Sequence, residues 1–420
     1  MKTIMTWIAA SSLLASLAIA QPPPRYTVTD LGPVGAAPGQ PFFVAPNGLI
    51  AGTAATNGPT NAMLWYKKLK LNIAKPGLGG ANSVAFAVDG AGQAVGEAET
   101  SVVDPKGEDF CGFKAMGLPS AGNSCLPFLW QNGAMTALPT LGGNNGAVNQ
   151  INKNGEMAGL AETARPDPDC PAPQVLHFKP VTWASGKIHE LVTLDGDRDG
   201  AAFAINDHGQ VAGASGQCSA FNPNLLENFL PLHALLWQGD TVFDLGNLGG
   251  TGQGFGNLAL NLNNQGQVIG QSDLAGDANF HAFLWTKETG IQDLGTLPGD
   301  VNSVAVGIND SGEIVGPSLD ANFNPHPYLW QNGVMTNLNS LIPANSPLYL
   351  LLACSINSSG EIVGLAVTST GEYHGYLATP SSNGAAGGIS SPATQGMTSP
   401  ITLPDNAGRQ FFRGLGIRGR

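Results

Sequence analysis

A ten-residue pattern that recurs seven times constrains the fold of this chain more than any other feature of its sequence. Five close copies share the form Asn-x-x-Gly followed by Glu or Gln, and they end at Gly159, Gly213, Gly270, Gly316 and Gly364. Looser copies end at Gly52 and Gly96. Asn at the first position and Gly at the last favour a tight turn, and apolar residues on either side favour two antiparallel strands. The pattern therefore predicts seven β-hairpins of one design.

Each hairpin belongs to a longer unit of about 45–60 residues. An aromatic segment such as "PFLW" (127–130) or "HAFLW" (281–285) follows the hairpin, and a turn such as "QNG" (331–333) leads to another short strand. A glycine-rich link then opens the next unit. Four short strands in a repeat of this length are typical of a β-propeller blade.

The two ends of the repeat array predict how the ring closes. The segment "YTVTDLG" (26–32) matches the last strand of a unit but has no earlier strands before it. The final unit has three strands, around 350–357, 361–367 and 374–378, and lacks a fourth. We therefore predict an all-β fold over residues 21–380, a seven-bladed β-propeller of four-stranded antiparallel blades, closed by the N-terminal strand joining the last blade. Closure removes the exposed edges that an open stack of sheets would leave.

Two side-chain types recur at fixed positions of the aromatic strand. The tryptophans are predicted to be core residues between blades, because large aromatic side chains are mostly buried; they are Trp65, Trp130, Trp183, Trp237, Trp285 and Trp330. The histidines are expected to make structural hydrogen bonds, since equivalent positions of neighbouring blades lie too far apart to share one metal ion. They are His233, His281, His326 and His374.

The repeat resembles the HAF-type extracellular repeat family, named for the residues found here as His281-Ala282-Phe283. The resemblance covers residues 26 to about 380 and rests on the seven matching units. It implies a secreted or surface repeat protein and brings no established reaction or ligand with it. The first three units depart from the family pattern, because Asn61, Leu126 and Lys179 stand at the histidine position. This departure argues against a shared functional role for the histidine.

The two ends of the chain lie outside the predicted ring. Residues 1–20 combine Lys2, a short apolar run and the cleavage pattern Ala18-Ile19-Ala20, which predicts a cleaved signal peptide and a secreted protein, extracellular or periplasmic. That run is too short to span a bilayer, and so is every later apolar stretch. Residues 381–420 are rich in Gly, Ser and Pro and are predicted to form a flexible tail.

Five cysteines are available for disulfide bonds in an exported chain. Cys111 and Cys125 lie in one long connection between strands, so we predict a bridge between them. Cys170 and Cys218 lie in corresponding connections of adjacent units and form the second predicted pair. Cys354 stands in a small-residue inner strand and is predicted to be buried and free. No spacing of Cys and His typical of a zinc site occurs in the sequence.

The connections between strands predict two different faces of the ring. Connections from the second to the third strand of a unit share one face with the links between units, and we call it the insertion face. The Asn-x-x-Gly turns occupy the other, the turn face. All of the length variation falls on the insertion face, in the connections 97–126, 160–179 and 214–232. Variable loops on a rigid scaffold often carry binding residues, although insertions are also simply tolerated at such places.

Carboxylates are concentrated on the predicted insertion face, where its long connections carry Asp104, Glu108, Asp109, Asp167 and Asp169. Asp195, Asp197 and Asp199 alternate through one link between units, in a D-x-D-x-D-G run like that of calcium-binding loops. We predict a Ca²⁺ site at these three residues. The alternative is a plain acidic turn, since Asn206 stands where such loops carry an acidic residue at the twelfth position.

The sequence contains no GxSxG nucleophile elbow or phosphate-binding loop, and it singles out no pair of carboxylates for catalysis. We therefore expect a monomeric, secreted, non-catalytic β-propeller that binds an extracellular protein or glycan. The formal charge of −12 disfavours nucleic acid as a partner, because an acidic chain repels phosphate backbones. The alternative is an extracellular polysaccharide lyase or hydrolase. Acidic, His or Tyr residues at the mouth of the axial channel would favour the enzyme, and apolar walls the binding module.

Overall fold

The computed structural model describes residues 25–35, 40–55, 58–67, 69–114, 117–170, 172–217 and 233–381. Within these residues, thirty β-strands form seven antiparallel sheets, which we number as blades 1 to 7. The predicted signal peptide and all of the predicted tail except Ser381 lie outside the described residues.

Blades 1 to 3 each contain four strands, which follow one another in chain order across the sheet. Blade 1 is formed by β2 (Gln40–Val44), β3 (Leu49–Ala55), β4 (Thr60–Tyr66) and β5 (Leu69–Asn72). Blade 2 is formed by β6 (Gly79–Val88), β7 (Ala94–Val103), β8 (Asn123–Gln131) and β9 (Ala134–Ala137). Blade 3 is formed by β10 (Gly142–Ile151), β11 (Met157–Pro166), β12 (Leu176–Ala184) and β13 (Lys187–Glu190).

Blades 4 and 5 repeat this arrangement, and in blades 6 and 7 the inner strand is divided into two short pieces. Blade 4 contains β14 (Asp199–Ile205), β15 (Gln210–Gly216), β16 (His233–Gln238) and β17 (Thr241–Asp244). Blade 5 contains β18 (Leu258–Leu262), β19 (Val268–Asp273), β20 (Phe280–Thr286) and β21 (Gly290–Asp293). Blade 6 contains β22 (Asn302–Ser303), β23 (Gly307–Ile308), β24 (Ile314–Leu319), β25 (Pro325–Gln331) and β26 (Val334–Asn337), and a short 3-10 helix (Leu338–Ser340) follows it. Blade 7 contains β27 (Leu348–Leu350), β28 (Ser355–Ile356), β29 (Ile362–Thr368), β30 (Tyr373–Pro380) and β1 (Tyr26–Pro33).

The seven blades form a closed ring. The innermost strands of neighbouring blades contact one another, and β2 of blade 1 contacts β28 and β29 of blade 7. The N-terminal strand β1 is the outermost strand of blade 7, where it pairs antiparallel with β30 from Tyr26 opposite Pro380 to Pro33 opposite His374. The structure thus confirms the seven-bladed β-propeller and its closure by the N-terminal strand.

The last glycine of six of the seven repeats is required by a close approach of two backbones. In blade 4, the inner strand β14 has a bulge between Ala202 and Ala204, and Gly213 of β15 lies beside it. A β-carbon on Gly213 would lie 2.2 Å from the carbonyl oxygen of Ala201. The equivalent distance is 1.7 to 2.0 Å at Gly96, Gly159, Gly270, Gly316 and Gly364. No side chain fits at these separations, which explains why these repeats end on glycine.

The asparagine of the repeat closes the hairpin and also links neighbouring blades. Oδ1 of Asn309 accepts hydrogen bonds from the backbone N–H groups of Ser311 and Glu313, both at 3.0 Å, and so closes the turn. Nδ2 of Asn309 donates to Oε2 of Glu313 at 2.6 Å and to the backbone oxygen of Asn357 in blade 7 at 3.1 Å. The other asparagines that donate to the blade that follows are Asn152, Asn206, Asn263 and Asn357. We call this series of bonds the asparagine ladder.

The asparagine ladder does not extend from blade 2 to blade 3. Asp89 occupies the repeat position in blade 2, and its Oδ1 closes the turn by accepting from the N–H groups of Ala91 and Gln93. An ionised carboxylate has no hydrogen to donate onward. Blade 1 is linked to blade 2 in another way, because Nδ2 of Asn47 donates to the backbone oxygen of Gly90 at 3.0 Å.

The tryptophans lie in the core, as predicted. Trp65, Trp183 and Trp237 are fully buried, and the other three are partly buried. Nε1 of Trp183 donates to the backbone oxygen of Pro139 at 2.9 Å, and Nε1 of Trp237 donates to that of Val192 at 2.7 Å. Each of these acceptors lies in the link from the preceding blade, so the indole rings of Trp183 and Trp237 join neighbouring blades.

Candidate functional site

The two faces of the ring differ in how their connections are built. On the turn face, the connections between the first and second strands are four or five residues long in all seven blades. On the insertion face, the connections between the second and third strands range from four residues at 369–372 to nineteen at 104–122. The strands around the longest connection extend further than the sequence indicated, because β7 ends at Val103 and β8 begins at Asn123. Length variation between these connections is confined to the insertion face.

The connection 104–122 is a folded element with a core of its own. Cys111 and Cys125 form the predicted disulfide, with their α-carbons 6.0 Å apart. Phe110 and Phe113 are buried beside this bridge, in a cluster that also contains Phe178 of blade 3. The connection therefore has a fixed structure of its own on the insertion face.

The described residues include two of the other three cysteines, Cys170 and Cys354. Cys170 is disulfide-bonded, and Cys218, its predicted partner, lies outside the described residues. Cys354 is free, as predicted, although the residue is partly exposed and not fully buried. Burial of its thiol nevertheless raises the pKa of Cys354 to about 12, so the thiolate is disfavoured at neutral pH.

Two carboxylates of the connection 104–122 fasten it to blade 3. Oδ2 of Asp104 accepts a hydrogen bond from Nδ2 of Asn145 at 3.0 Å. Oε1 of Glu108 accepts from the backbone N–H groups of Val175 and Leu176 at 2.6 and 2.9 Å. Both carboxylates are buried. They lie on the insertion face, as predicted, but they hold the loop in place and do not form an exposed acidic surface.

Three other buried acids were not predicted from the sequence: Glu99, Glu162 and Asp273. Each is the third residue after the last glycine of a repeat. Each accepts hydrogen bonds from backbone N–H groups near the start of its own blade. Their blades share a Leu-Gly-Gly link, at 78–80, 141–143 and 248–250, and this coincidence is the sequence signal that marks them. Burial and the neighbouring carboxylate of Glu108 raise the pKa of Glu162.

Asp167, His177 and Asp199 form a cluster that joins blade 3 to blade 4. Nδ1 of His177 lies 3.0 Å from Oδ2 of Asp167 and 3.1 Å from Oδ1 of Asp199. The backbone N–H of Phe178 also donates to Oδ1 of Asp199, at 3.0 Å. Burial raises the pKa of Asp199, while the charge of His177 opposes that shift. We call this group the Asp–His–Asp cluster.

Two groups of side chains among the described residues bring three potential metal-ligand atoms together. One is the Asp–His–Asp cluster, and the other combines Glu97 with Cys111 and Cys125. The two sulfur atoms of the second group are bonded to each other, and a disulfide sulfur is not the thiolate that binds metal ions. The Asp–His–Asp cluster therefore has the better donor set.

The structure separates the three carboxylates of the predicted calcium site. Asp195 is exposed. Oδ2 of Asp197 accepts a hydrogen bond from Oγ of Ser215 and lies 2.8 Å from Nδ1 of His233. The hydrogen bond between Asp197 and His233 raises the pKa of His233. Asp199 belongs to the Asp–His–Asp cluster. The three carboxylates thus have different surroundings, and calcium binding by them stays a prediction.

The remaining repeated histidines also pair with carboxylates. The Nδ1 atoms of His281, His326 and His374 lie 2.8 to 2.9 Å from carboxylate oxygens of Asp293, Asp300 and Asp30, respectively. With His233 and Asp197, four repeated histidines pair with carboxylates, from the outermost strand in blades 5 and 7 and from the preceding link in blades 4 and 6. The pairs confirm the expectation of structural hydrogen bonding at this position.

The axial channel is lined by one residue from each inner strand. In blades 1 to 5 this residue lies at the strand bulge, and in blades 6 and 7 it lies between the two inner pieces. All seven are partly exposed, although the strand residues around them are mostly buried: Phe42, Phe86, Asn149, Phe203, Leu260, Val306 and Cys354. Six of these seven residues are apolar and Asn149 is polar; Asn261, beside Leu260, is partly exposed as well.

A second apolar surface, which we call the aromatic patch, lies on the insertion face of blades 5 to 7. It consists of four partly exposed side chains: Phe255, Phe323, Tyr349 and Tyr373. They pack against one hydrophobic cluster that continues to Leu260 and Val306 on the channel wall. The ring centroids of Phe255 and Phe323 are 6.1 Å apart. Contiguous exposed apolar surfaces commonly mark interaction sites.

We predict that the free energy of unfolding depends on pH because of Glu97, which lies beside the disulfide. Burial and the charges of Asp109 and Glu99 raise the pKa of Glu97 to about 8, whereas a glutamate in an unfolded chain ionises near pH 4.3. Between these values the folded chain holds a proton that the unfolded chain has released. Raising the pH from 5 to 8 should therefore lower the free energy of unfolding, by at most about 1.4 kcal/mol per unit of pKa difference.

The variant Glu97→Gln provides the matched control for this pH dependence, because its amide keeps the size of the carboxyl and does not titrate. Urea unfolding at pH 5 and pH 8 should show a smaller loss of stability in the variant than in the parent. Equal losses in the two proteins would contradict the role assigned to Glu97.

No protein-family model matches the chain, and comparison with curated protein sequences finds no match. Among the described residues, no helix has the length and apolar character needed to cross a bilayer. The backbone is similar to TolB from Acinetobacter baumannii, at 10% sequence identity and a TM-score of 0.38, over 79% of each chain. It is also similar to a triple arginine-to-alanine mutant of AofleA from Arthrobotrys oligospora, at 9% identity and a TM-score of 0.36, over 84% of this chain and 86% of that one.

A further similarity, to Porphyromonas gingivalis dipeptidyl peptidase 4, has 13% identity and a TM-score of 0.32 and covers 79% of this chain. It covers only 43% of that chain. These likenesses concern the backbone and carry no activity or ligand over to the present chain. The described residues themselves form a seven-bladed β-propeller with structured connections on its insertion face and a largely apolar channel wall.

Proposed function

We propose that this protein is an exported, non-catalytic binding module whose ligand engages the insertion face. The observation that carries the proposal is the contrast between the two faces. The turn face repeats one hydrogen-bonded hairpin around the ring, whereas the insertion face carries a disulfide-bonded loop and the aromatic patch. Rigid loops on a propeller scaffold bind with little loss of conformational entropy on association.

The acidic residues of the insertion face support binding more than hydrolysis. A hydrolase of polysaccharides needs two carboxyl groups that reach the substrate. Glu108 and Glu162 are close enough to influence each other, but both are buried and accept hydrogen bonds from the protein itself. Six of the seven residues assigned to the channel wall are apolar. These features favour the binding module over the enzyme.

The aromatic patch supports a ligand with apolar surface. Tyr and Phe offer broad faces at a small cost in side-chain entropy, and they stack on sugar rings as well as on apolar side chains. We therefore propose a protein segment or a glycan as the ligand, engaged by Phe255 and Phe323 near the channel mouth.

A glycan and peptide array probed with residues 21–381 tests the proposed function. The double variant Phe255→Ala/Phe323→Ala should lose at least about tenfold in affinity for an array ligand, since each aromatic anchor of an interface typically contributes more than about 1 kcal/mol. Leu69→Ala is the matched control, because Leu69 is an exposed apolar residue on the outer strand of blade 1. A ligand that binds the parent and the double variant equally well would show that the aromatic patch is not the site.

We also propose that the chain is exported and belongs to the HAF-type extracellular repeat family. The disulfide between Cys111 and Cys125 supports export, because such bonds persist in oxidising compartments. Mass spectrometry of the protein recovered from the medium or the periplasm should find Gln21 as the first residue. An intact N-terminus, or retention in the cytosol, would contradict export by the proposed signal.

A further inference from the structure

The Asp–His–Asp cluster contains more buried negative charge than its protein partners neutralise. Asp167 is 4% exposed and Asp199 is 0% exposed. Oδ2 of Asp167 and Oδ2 of Asp199 are both buried; the second has no hydrogen-bond partner, and the first lies 3.0 Å from Nδ1 of His177, which is shared with Oδ1 of Asp199. The nearby guanidinium of Arg198 pairs instead with Asp169 at the surface. Two buried carboxylates beside one imidazole are costly unless a further cation is present.

Comparison with the other blades shows that the fold itself does not require a charge at Asp199. In blades 2, 3 and 6 the equivalent positions are Asn82, Asn145 and Asn302, and the side-chain oxygen of each accepts from a backbone N–H of the preceding blade. Asp199 accepts the same bond from Phe178. An asparagine would therefore meet the structural need, and the bond to Phe178 does not require the negative charge of Asp199.

We propose that the Asp–His–Asp cluster binds one divalent transition-metal ion of the zinc type, through carboxylate oxygens of Asp167 and Asp199 and Nδ1 of His177. Imidazole nitrogen and carboxylate oxygen are both ligands of Zn²⁺, and a water molecule would complete a four-coordinate site. The ion would bind between Nδ1 of His177 and the two carboxylates that face it.

The observed distances are close to those of a metal site. Ligand atoms bound at about 2.0–2.2 Å around a tetrahedral zinc ion are about 3.3–3.6 Å apart. Nδ1 lies 3.0 and 3.1 Å from the two carboxylate oxygens, so binding requires a small outward movement only. The side chain of His177 is 19% exposed, which gives the ion a path from solvent. The ion would fasten the loop of blade 3 that contains Asp167 to the first strand of blade 4. This inference does not depend on the proposed ligand of the insertion face.

Isothermal titration of the chelator-treated mature protein with Zn²⁺ tests the proposal. The parent should bind one equivalent, and both Asp199→Asn and His177→Ala should bind at least about 100-fold more weakly, since loss of an outer-sphere partner alone costs about 10–100-fold. Asp199→Asn reproduces the residue found in three other blades, so it should fold. Asp195→Asn is the matched control, because it removes the same charge from an exposed position of the same link and should bind Zn²⁺ like the parent.

A thermal melt provides a second measurement of the same site. Zn²⁺ should raise the melting temperature of the parent and of Asp195→Asn, and it should leave that of Asp199→Asn unchanged. No binding by the parent, or equal binding by the parent and Asp199→Asn, would overturn the proposal. A shift produced equally by Ca²⁺, and kept in His177→Ala, would also overturn it, because Ca²⁺ prefers oxygen ligands and has no need of the imidazole.

Discussion

Replacing Gly316 by alanine is expected to lower the free energy of unfolding by more than about 3 kcal/mol, an effect at the upper end of those caused by single substitutions. The new β-carbon would lie 1.9 Å from the carbonyl oxygen of Val304 and 3.1 Å from Oη of Tyr328. The first atom belongs to the backbone of the inner strand, so no change of rotamer relieves the overlap. The two strands must separate, and their core contacts are lost.

Gly90→Ala is the matched control for this substitution. Gly90 has no heavy atom within 4 Å of the position of a β-carbon, and its backbone is not in the left-handed region. Alanine there should change stability by less than about 1 kcal/mol. Urea unfolding followed by tryptophan fluorescence compares the two variants with the parent. Equal stabilities of Gly316→Ala and Gly90→Ala would contradict the close approach of β24 to the inner strand.

Deletion of β1, residues 26–33, is expected to cause aggregation or the loss of more than about 4 kcal/mol of stability. The deletion removes the buried side chains of Tyr26 and Leu31, each of which contributes about 1.5–3 kcal/mol when buried. It also leaves β30 as an unpaired edge, which can pair with another chain. Light scattering and a urea titration of the deleted protein measure both effects.

A permuted chain separates the loss of the strand from the loss of its position. The backbone N–H of Ser381 donates to the oxygen of Arg25 at 2.8 Å, so the two segments lie side by side. Residues 25–33 joined after Ser381 through an Asn-Gly turn should form a hairpin with β30 and restore the parent's stability. Unaltered unfolding of the deleted chain, or no recovery in the permuted one, would contradict closure by β1.

The blades could be predicted because their signal is local and repeated. The turn around Asn309 and Gly312, the small residues before it and the aromatic strand after it lie within one unit. Seven aligned copies therefore reinforce one another. Closure of the ring could be predicted by counting strands, because the repeat array begins with one extra strand and its last unit lacks one.

The roles of Asp104, Glu108 and Asp199 could not be predicted, because their partners lie in another blade. Glu108 is anchored by the backbone at Val175 and Leu176, which the alignment of units does not place beside it. The spacing of Asp195, Asp197 and Asp199 indicated a single calcium loop, but Asp199 is the first residue of β14 and faces His177. The strand thus turns this carboxylate toward the preceding blade, and a pattern of alternating residues contains no information about that contact.

The asparagine ladder has a consequence for how such a chain can change its number of blades. Each of blades 4 to 7 receives one bond from the blade before it and gives one to the blade after it, through the same asparagine atoms. A duplication that inserts one whole unit therefore creates a new border with the same chemistry as the old ones and leaves no donor unsatisfied. The border after Asp89 is the exception, because a unit copied from there carries no donor. Gain or loss of units is thus easiest in the second half of the ring, where every border is interchangeable.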